Sequence, residues 1–450
     1  METCNNYFIY NAFVVNEGKI FCADVLIQGG KIVRIMKKDA LVEDLFLEED
    51  TVFIDATNKY LLPGVIDEHV HFREPGLTPK GDMYSESRAA VAGGVTSVMD
   101  MPNVFPQTIT NELLDEKYHL AKDKMFTNYS FYLGATNHNI AQIRQADRSR
   151  ICGVKLFMGS STGDMLVSDD EILHELFQIQ TLPIAVHCED ETIIANNIQQ
   201  AKKCYGEHVP IEAHAKIRSE AACFVSTQKA VALAQQYGTK LHILHLSTAK
   251  ELTLLTNQYP NISAEVCTAY LYLDESDYLT LGTKMKCNPS IKQSSDKAAL
   301  FAALLSGRIA TIASDHAPHT REEKENTYFQ TPSGIPIVQH SLLLMLELYK
   351  ENKIKLQTIV NCMSHAPARI YAIEQRGFIR EGYFADLVLA DMEQETEINT
   401  DTIYYKCKWS PFEGKKIHAR IDKTFVNGEL VYNDGIFAAS PCGQALQFKR

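Results

Sequence analysis

The sequence predicts a parallel (β/α)8 barrel with a small β-sandwich assembled from the two chain ends. Three observations carry this. Short apolar strands alternate with helical patterns through the middle of the chain. Both ends consist of short strands broken by turns such as Asn16-Glu17-Gly18 and Asn427-Gly428. Histidine, lysine and aspartate recur where the central strands end. At 450 residues the chain exceeds one ordinary compact core, which suits a barrel with an appendage. Residues 1–58 and 376–450 are assigned to the sandwich and 59–375 to the barrel.

The N-terminal strands are Tyr7–Tyr10, Phe13–Val15, Val25–Ile27 and Lys31–Ile35, and the C-terminal ones Asp386–Ala390 and Thr424–Tyr432 around its turn. In the barrel, the first strand runs through Val65 to His71. The next are Val95–Asp100, Phe126–Tyr132, Gly153–Met158, Pro183–His187, Leu241–Leu246, Ile262–Val266 and Ile309–Asp315. Ser168-Asp169-Asp170-Glu171 reads as a capping box, and Gly93-Gly94 closes the helix after the first strand.

Composition excludes several function classes. No apolar run approaches the ~20 residues of a membrane span, and the start Met1-Glu2-Thr3-Cys4 is not a secretion signal. The eleven cysteines contain no Cys-x-x-Cys and suit reduced thiols of a cytoplasmic protein. With 44 basic and 56 acidic residues the net charge is −12, which argues against nucleic acid as partner. A small anionic substrate would need local positive charge.

Chemistry in a barrel gathers at the C-terminal strand ends. His69 and His71 lie two apart on the first strand, so their imidazoles project together and can grip one metal ion. Lys155, His187, His245 and Asp315 end strands four, five, six and eight. An apolar setting between Val154 and Leu156 disfavours the Lys155 ammonium, and the neutral amine can take up carbon dioxide as a carbamate. That anion could bridge two Zn²⁺ ions, one on His69 and His71, the other on His187 and His245. The plainer alternative is a salt bridge or a snorkelling side chain. Asp315 could ligate one ion and carry a proton, or merely cap a turn. His242, three residues before His245, is expected on the opposite face of its strand.

The stretches Asp67 to Gly76, Met101-Pro102-Asn103, Val186 to Asp190, His245 to Thr248 and Ser314 to His319 resemble the dihydroorotases. These form a family in the cyclic amidohydrolase branch of the amidohydrolase superfamily. The likeness runs from about residue 50 to 390. It implies a TIM-like metallo-dependent hydrolase barrel with two Zn²⁺ bridged by carboxylated Lys155. It also implies reversible cyclisation of N-carbamoyl-L-aspartate to L-dihydroorotate in pyrimidine synthesis. Some members bridge with aspartate instead, for which Asp164 is the competitor. Arg73, Asn103 and His319 match the family's positions for the substrate carboxylate, with a Glu74 salt bridge as the plainer role for Arg73. Asn288 and Gly334 match those that contact the ring amide. Hydantoinases usually carry tyrosine where this chain has Ser160, and the stretch after Gly334 departs from the usual Gly-Leu-Glu-Thr. Allantoinase or hydantoinase activity is the alternative. A non-catalytic subunit of a transcarbamoylase assembly is another, although every ligand position is filled. A homo-oligomer or association with aspartate transcarbamoylase is compatible with the resemblance. Thr320 to Pro332, polar and without strong period, is a candidate lid.

Overall fold

Eight parallel strands follow one another around a ring in a computed structural model that describes residues 6–38, 47–159, 165–256 and 258–450. Val65–Val70, Val95–Asp100 and Asn128–Phe131 form one ladder. Leu133–Gly134 continues the third strand into a second ladder through Val154–Phe157, Ile184–His187, Leu241–Ile243, Ile262–Cys267 and Thr311–Ala313. The circuit is completed where His71 donates its amide to His316 O at 2.7 Å. All strand residues but Ile262 and Ser263 are buried, as expected when helices cover one face and the barrel interior the other.

The helix signals act where the sequence placed them, with one correction. Asp82 caps helix Met83–Ala92 by accepting from Ser85 N at 2.8 Å, and Gly93 ends it. Gly94, at φ 80°, then turns the chain into the second strand, a conformation that costs glycine little. Helix Asp170–Phe177 has Asp169 as its N-cap, accepting from Glu171 N and Ile172 N. The third helical position is therefore Ile172, and no reciprocal capping box forms.

Strands from both ends share one nine-stranded mixed sheet. Tyr60–Pro63 is its seam, pairing parallel with Tyr7–Asn16 and antiparallel with Leu387–Asp391. The two short N-terminal strands expected from the sequence are one strand, Tyr7–Asn16, with an irregularity between Ile9 and Ala12. Asn11 sits there at φ 62°, so the polar residue that looked like a break is a bulge. Asn427 and Gly428, at φ 53° and 79°, make the expected hairpin turn.

The barrel interior is filled below its mouth by Ile66, Met99, Tyr132, Ala185 and Leu244, packed on Tyr371, Leu446 and Phe448. Leu446 and Phe448 belong to the last eight residues, which run beneath the barrel, with Leu446 N bonded to Tyr129 O at 2.8 Å. No described helix is long and apolar enough to cross a membrane. The ten described cysteines are all free thiols.

Candidate metal centre and active site

The mouth of the barrel holds a cavity of about 120 Å³. Its lining includes His69, His71, Lys155, His187, His245 and Asp315, together with Arg73, Asn103, Asn288 and Gly334. Every metal-ligand candidate at a described position thus converges on one space. His319 stands directly behind Arg73, with Nε2 3.1 Å from Nη2. Asp164 and Ser160 lie outside the described residues.

Three of these side chains rest on strained backbone. Arg73, His245 and Asp315 have φ of 68°, 39° and 48°. Non-glycine residues there cost of order 1 kcal/mol each and persist where surroundings over-determine them. The strain has a visible effect at His245. Strand six ends at Ile243, and the left-handed turn at His245 breaks the alternation of faces. His242 therefore also points inward, with Nε2 3.5 Å from Glu265 Oε2, contrary to the opposite face expected from spacing.

The imidazoles form two sets. His69 Nε2 and His71 Nε2 lie 3.2 and 3.1 Å from the same Asp315 Oδ1. His187 Nδ1 and His245 Nε2 lie 2.9 Å apart. Each of three rings has its other nitrogen held by an oxygen. His69 Nδ1 is 2.5 Å from Glu265 Oε1, His71 Nδ1 is 2.8 Å from Asn103 Oδ1, and His187 Nε2 is 3.0 Å from Glu189 Oε2. Oxygen acceptors on the outer nitrogens demand N–H there, which leaves lone pairs on the inner ones. Lone pairs of His69 and His71 then face a carboxylate oxygen, and that of His187 faces a ring nitrogen. Lone pairs of His69 and His71 against a carboxylate oxygen are favourable once a cation lies between them, so the donor set fits bound metal.

Electrostatics divides the cluster: burial lowers His69, but the Glu265 and Asp315 carboxylates outweigh it and raise that ring above its ordinary value. Burial would raise the Asp315 carboxyl, but His69 and then His71 outweigh it and hold it well below the usual range. Burial pushes His71 down to about 4 and His245 well below its ordinary value, so neither competes for a proton near pH 7. Lys155 is 1% exposed, and burial lowers its ammonium to about 8. Roughly a tenth of it is then neutral at pH 7. No salt bridge reaches it among the described residues; its Nζ lies over the Phe157 ring at 4.4 Å.

Arg73 donates Nε to Pro318 O at 3.0 Å. Its neighbour Glu74 pairs instead with Lys124 at 2.6 Å, so the plainer role for Arg73 is not taken up. Gly334 packs where a side chain could not: an added Cβ would lie 2.3 Å from Ala317 O. Its amide is donated to Lys286 O and its carbonyl accepts from Lys324 Nζ, which leaves its bareness to face a ligand. Asn288 Oδ1 is buried without a hydrogen-bond partner among the described residues, as an acceptor awaiting one would be.

Sequence reasoning missed Glu265 and Glu189. Both are fully buried acids on or just after apolar strands, and that contrast was the signal available. Glu189 also meets the Arg218 guanidinium. Glu265 Oε1 accepts from both His69 Nδ1 and the His245 amide, the latter at 3.0 Å, and so ties one imidazole set to the other. Glu265→Ala is expected to weaken metal retention by about 10- to 100-fold, read as metal content against a graded chelator. Unchanged retention would reduce Glu265 to a packing role.

Segment 320–332 is built as a wall rather than a lid. Lys324 Nζ donates to Lys286 O, Pro332 O and Gly334 O at 2.9, 3.1 and 3.0 Å. Lys286 Nζ donates to Tyr328 O and Thr331 O, both at 2.6 Å. Three carbonyls on one buried ammonium oppose the opening that a lid needs.

Residues 60–431 match the family model described as the amidohydrolase family. The chain belongs to that family. This amidohydrolase is 30% identical to a dihydroorotase of Methanosphaera stadtmanae over 414 residues, covering 91% of this chain and 93% of that one. It is 28% identical to an allantoinase of Desulfitobacterium hafniense, covering 96% and 98%. Among solved structures, the L-hydantoinase (dihydropyrimidinase) from Arthrobacter aurescens superposes with a TM-score of 0.92 at 27% identity, covering 98% and 99%. The amidohydrolase is accordingly an enzyme that hydrolyses cyclic amides, on the barrel expected for it.

Proposed function

We propose that this amidohydrolase is a zinc-dependent dihydroorotase, interconverting L-dihydroorotate and N-carbamoyl-L-aspartate. The observation that carries the reading is the cationic corner beside the metal cluster. Arg73 is buried, lines the cavity and has no carboxylate paired to it among the described residues; its guanidinium meets the His319 ring. A neutral ring would leave that charge unmatched, whereas a ring bearing a carboxylate completes it.

His69 and His71 would hold one Zn²⁺ with Asp315, and His187 and His245 the other, with Lys155 between. A neutral Lys155 Nζ could add carbon dioxide, forming an N–C bond and losing one proton, and the carbamate anion would suit two cations that the ammonium would repel. Zinc supplies, when bound, the charge that polarises the scissile carbonyl and makes water acidic enough to attack. The protein's own part is positional. Arg73 and His319 fix the carboxylate, Asn288 Oδ1 accepts from the ring amide, and Asp315 takes a proton from the attacking water and returns it to the departing nitrogen. Ring closure reverses these steps. It consumes one proton per ring, so the equilibrium moves toward opening about tenfold per pH unit above the carboxyl pKa.

The deciding test is turnover of L-dihydroorotate, hydantoin and allantoin side by side, with metal content measured on the same sample. Dihydroorotate is expected to give the highest kcat/KM. Faster opening of hydantoin or allantoin would replace this reading with that activity. A second variant addresses the bridge: Lys155→Ala should lose metal and activity together. An active, metal-loaded crystal form with an unmodified Lys155 ammonium would pass the bridging role to Asp164.

A further inference from the structure

We propose that Glu68, His242 and Glu265 form a further cation site inside the barrel, beneath the mouth, which takes a divalent transition ion of the Zn²⁺ kind. The site is separate from the two ions of the mouth and does not depend on which cyclic amide the enzyme opens. The three residues come from strand one, Val65–Val70, strand six, Leu241–Ile243, and strand seven, Ile262–Cys267. Strand one pairs with neither of the others, so only the interior of the ring can bring these side chains together. One donor atom from each lies within 4.8 Å of the other two, and all three residues are buried.

The donor atoms are otherwise unused. Among the described residues, both oxygens of Glu68, Oε2 of Glu265 and Nε2 of His242 are buried without a hydrogen-bond partner. His242 Nε2 lies 3.5 Å from Glu265 Oε2 and 3.8 Å from Glu68 Oε1. An N–H···O bond closes to about 3.2 Å or less, so a proton on Nε2 would hold neither carboxylate at these separations. Donors around a tetrahedral Zn²⁺, with bonds of about 2.1 Å, stand about 3.4 Å apart, which is close to the spacing found. The other side of the ring fits a ligand as well. Nδ1 lies 2.8 Å from Ser263 Oγ, whose own proton goes to Leu241 O at 3.4 Å. That arrangement leaves Nδ1 to carry the imidazole proton and Nε2 to offer its lone pair inward.

Charge points the same way. Glu265 Oε1 is occupied by His69 Nδ1, and no lysine or arginine forms an ion pair with Glu68 or Glu265 among the described residues. The Thr311 hydroxyl beside Glu68 is uncharged and offsets nothing. Two neighbouring buried carboxylates need countercharge. One imidazolium would still leave a net negative charge, whereas a divalent ion leaves none. The imidazole narrows the choice of ion, since Mg²⁺ and Ca²⁺ favour all-oxygen sites and Zn²⁺ accepts mixed nitrogen and oxygen donors. Glu265 would then serve two levels, with Oε1 steadying His69 at the mouth and Oε2 on the interior ion.

The test is anomalous scattering from crystals of the full chain produced with Zn²⁺, recorded above and below the zinc absorption edge. An interior peak is expected about 2.0–2.2 Å from Glu68, His242 Nε2 and Glu265 Oε2, and it should fade below the edge. Glu68→Gln keeps the side-chain shape and removes one charge. In that variant the interior peak should vanish and zinc per chain should fall by about one equivalent, with the mouth peaks still present. Depth adds a kinetic signature. Under a chelator, one zinc equivalent of the parent should leave about tenfold or more slowly than those at the mouth, and Glu68→Gln should lack that slow phase. A parent crystal grown from zinc with no interior peak, whatever the mouth holds, overturns the proposal, because His242 would then meet the carboxylates as an imidazolium or through water. An interior peak and zinc count that persist unchanged in Glu68→Gln overturn it too. Should Glu68→Gln not accumulate as folded protein, the parent's interior peak and slow zinc phase decide by themselves.

Discussion

Asp315→Asn is expected to retain both metals and lose roughly two to four orders of magnitude in turnover, the usual range for removing an acid–base group. The substitution keeps an oxygen where Oδ1 now lies 3.2 and 3.1 Å from the inner nitrogens of His69 and His71. It also keeps a branched polar side chain on a backbone at φ 48°, a region asparagine tolerates better than most residues. Ligation geometry should therefore survive. What is lost is the capacity to accept a proton: the His69 and His71 rings hold the carboxyl ionised far below neutrality against the opposing effect of burial, whereas an amide has no basic oxygen. Measuring kcat and metal content on one preparation separates the two roles. Near-normal turnover would make Asp315 a ligand only.

Arg73→Met should lower kcat/KM for dihydroorotate by about two to four orders of magnitude while leaving zinc in place. An unpaired charged partner in a buried site costs several kcal/mol. Methionine carries the same Cβ penalty at φ 68° as arginine, so little new backbone strain enters. The preference over dihydrouracil should narrow or vanish, because the cost of an absent carboxylate disappears with the guanidinium. The net charge of −12 offers no long-range attraction to compensate. A dihydroorotate rate within a few-fold of the parent would remove Arg73 from substrate recognition.

The convergence of the candidate metal-ligating side chains on one cavity was legible in the sequence because strand geometry is simple. His69 and His71 share a face by period two, and each later ligand candidate stands at the end of an apolar run. The same rule failed at His242, where the left-handed residue His245 reset the alternation, and no single-sequence signal announces that conformation. It also overlooked Glu265 and Glu189. An acid within or beside an apolar strand reads as an exception until its partner is known: Glu265 meets the distant His69, and Glu189 meets His187 two residues before it. Tyr7–Asn16 was divided in two because a bulge and a turn share the same polar residues. The wall at 320–332 was illegible for another reason: lysine looks like surface, and only the fold brings three carbonyls around Lys324.

The floor of the barrel carries a consequence for biogenesis. Leu446 and Phe448 fill space beneath strands that are complete by residue 313, and Tyr60–Pro63, already paired with Tyr7–Asn16, finds its second partner only at Leu387–Asp391. On a ribosome, every barrel strand would emerge before the residues that seal it. The nascent ring would present Tyr132, Tyr371 and its lower apolar lining to water, or to chaperones, until translation passes residue 448. Closure would then join segments more than 300 residues apart in one late step, with a vectorial delay that renaturation of the full-length chain does not impose.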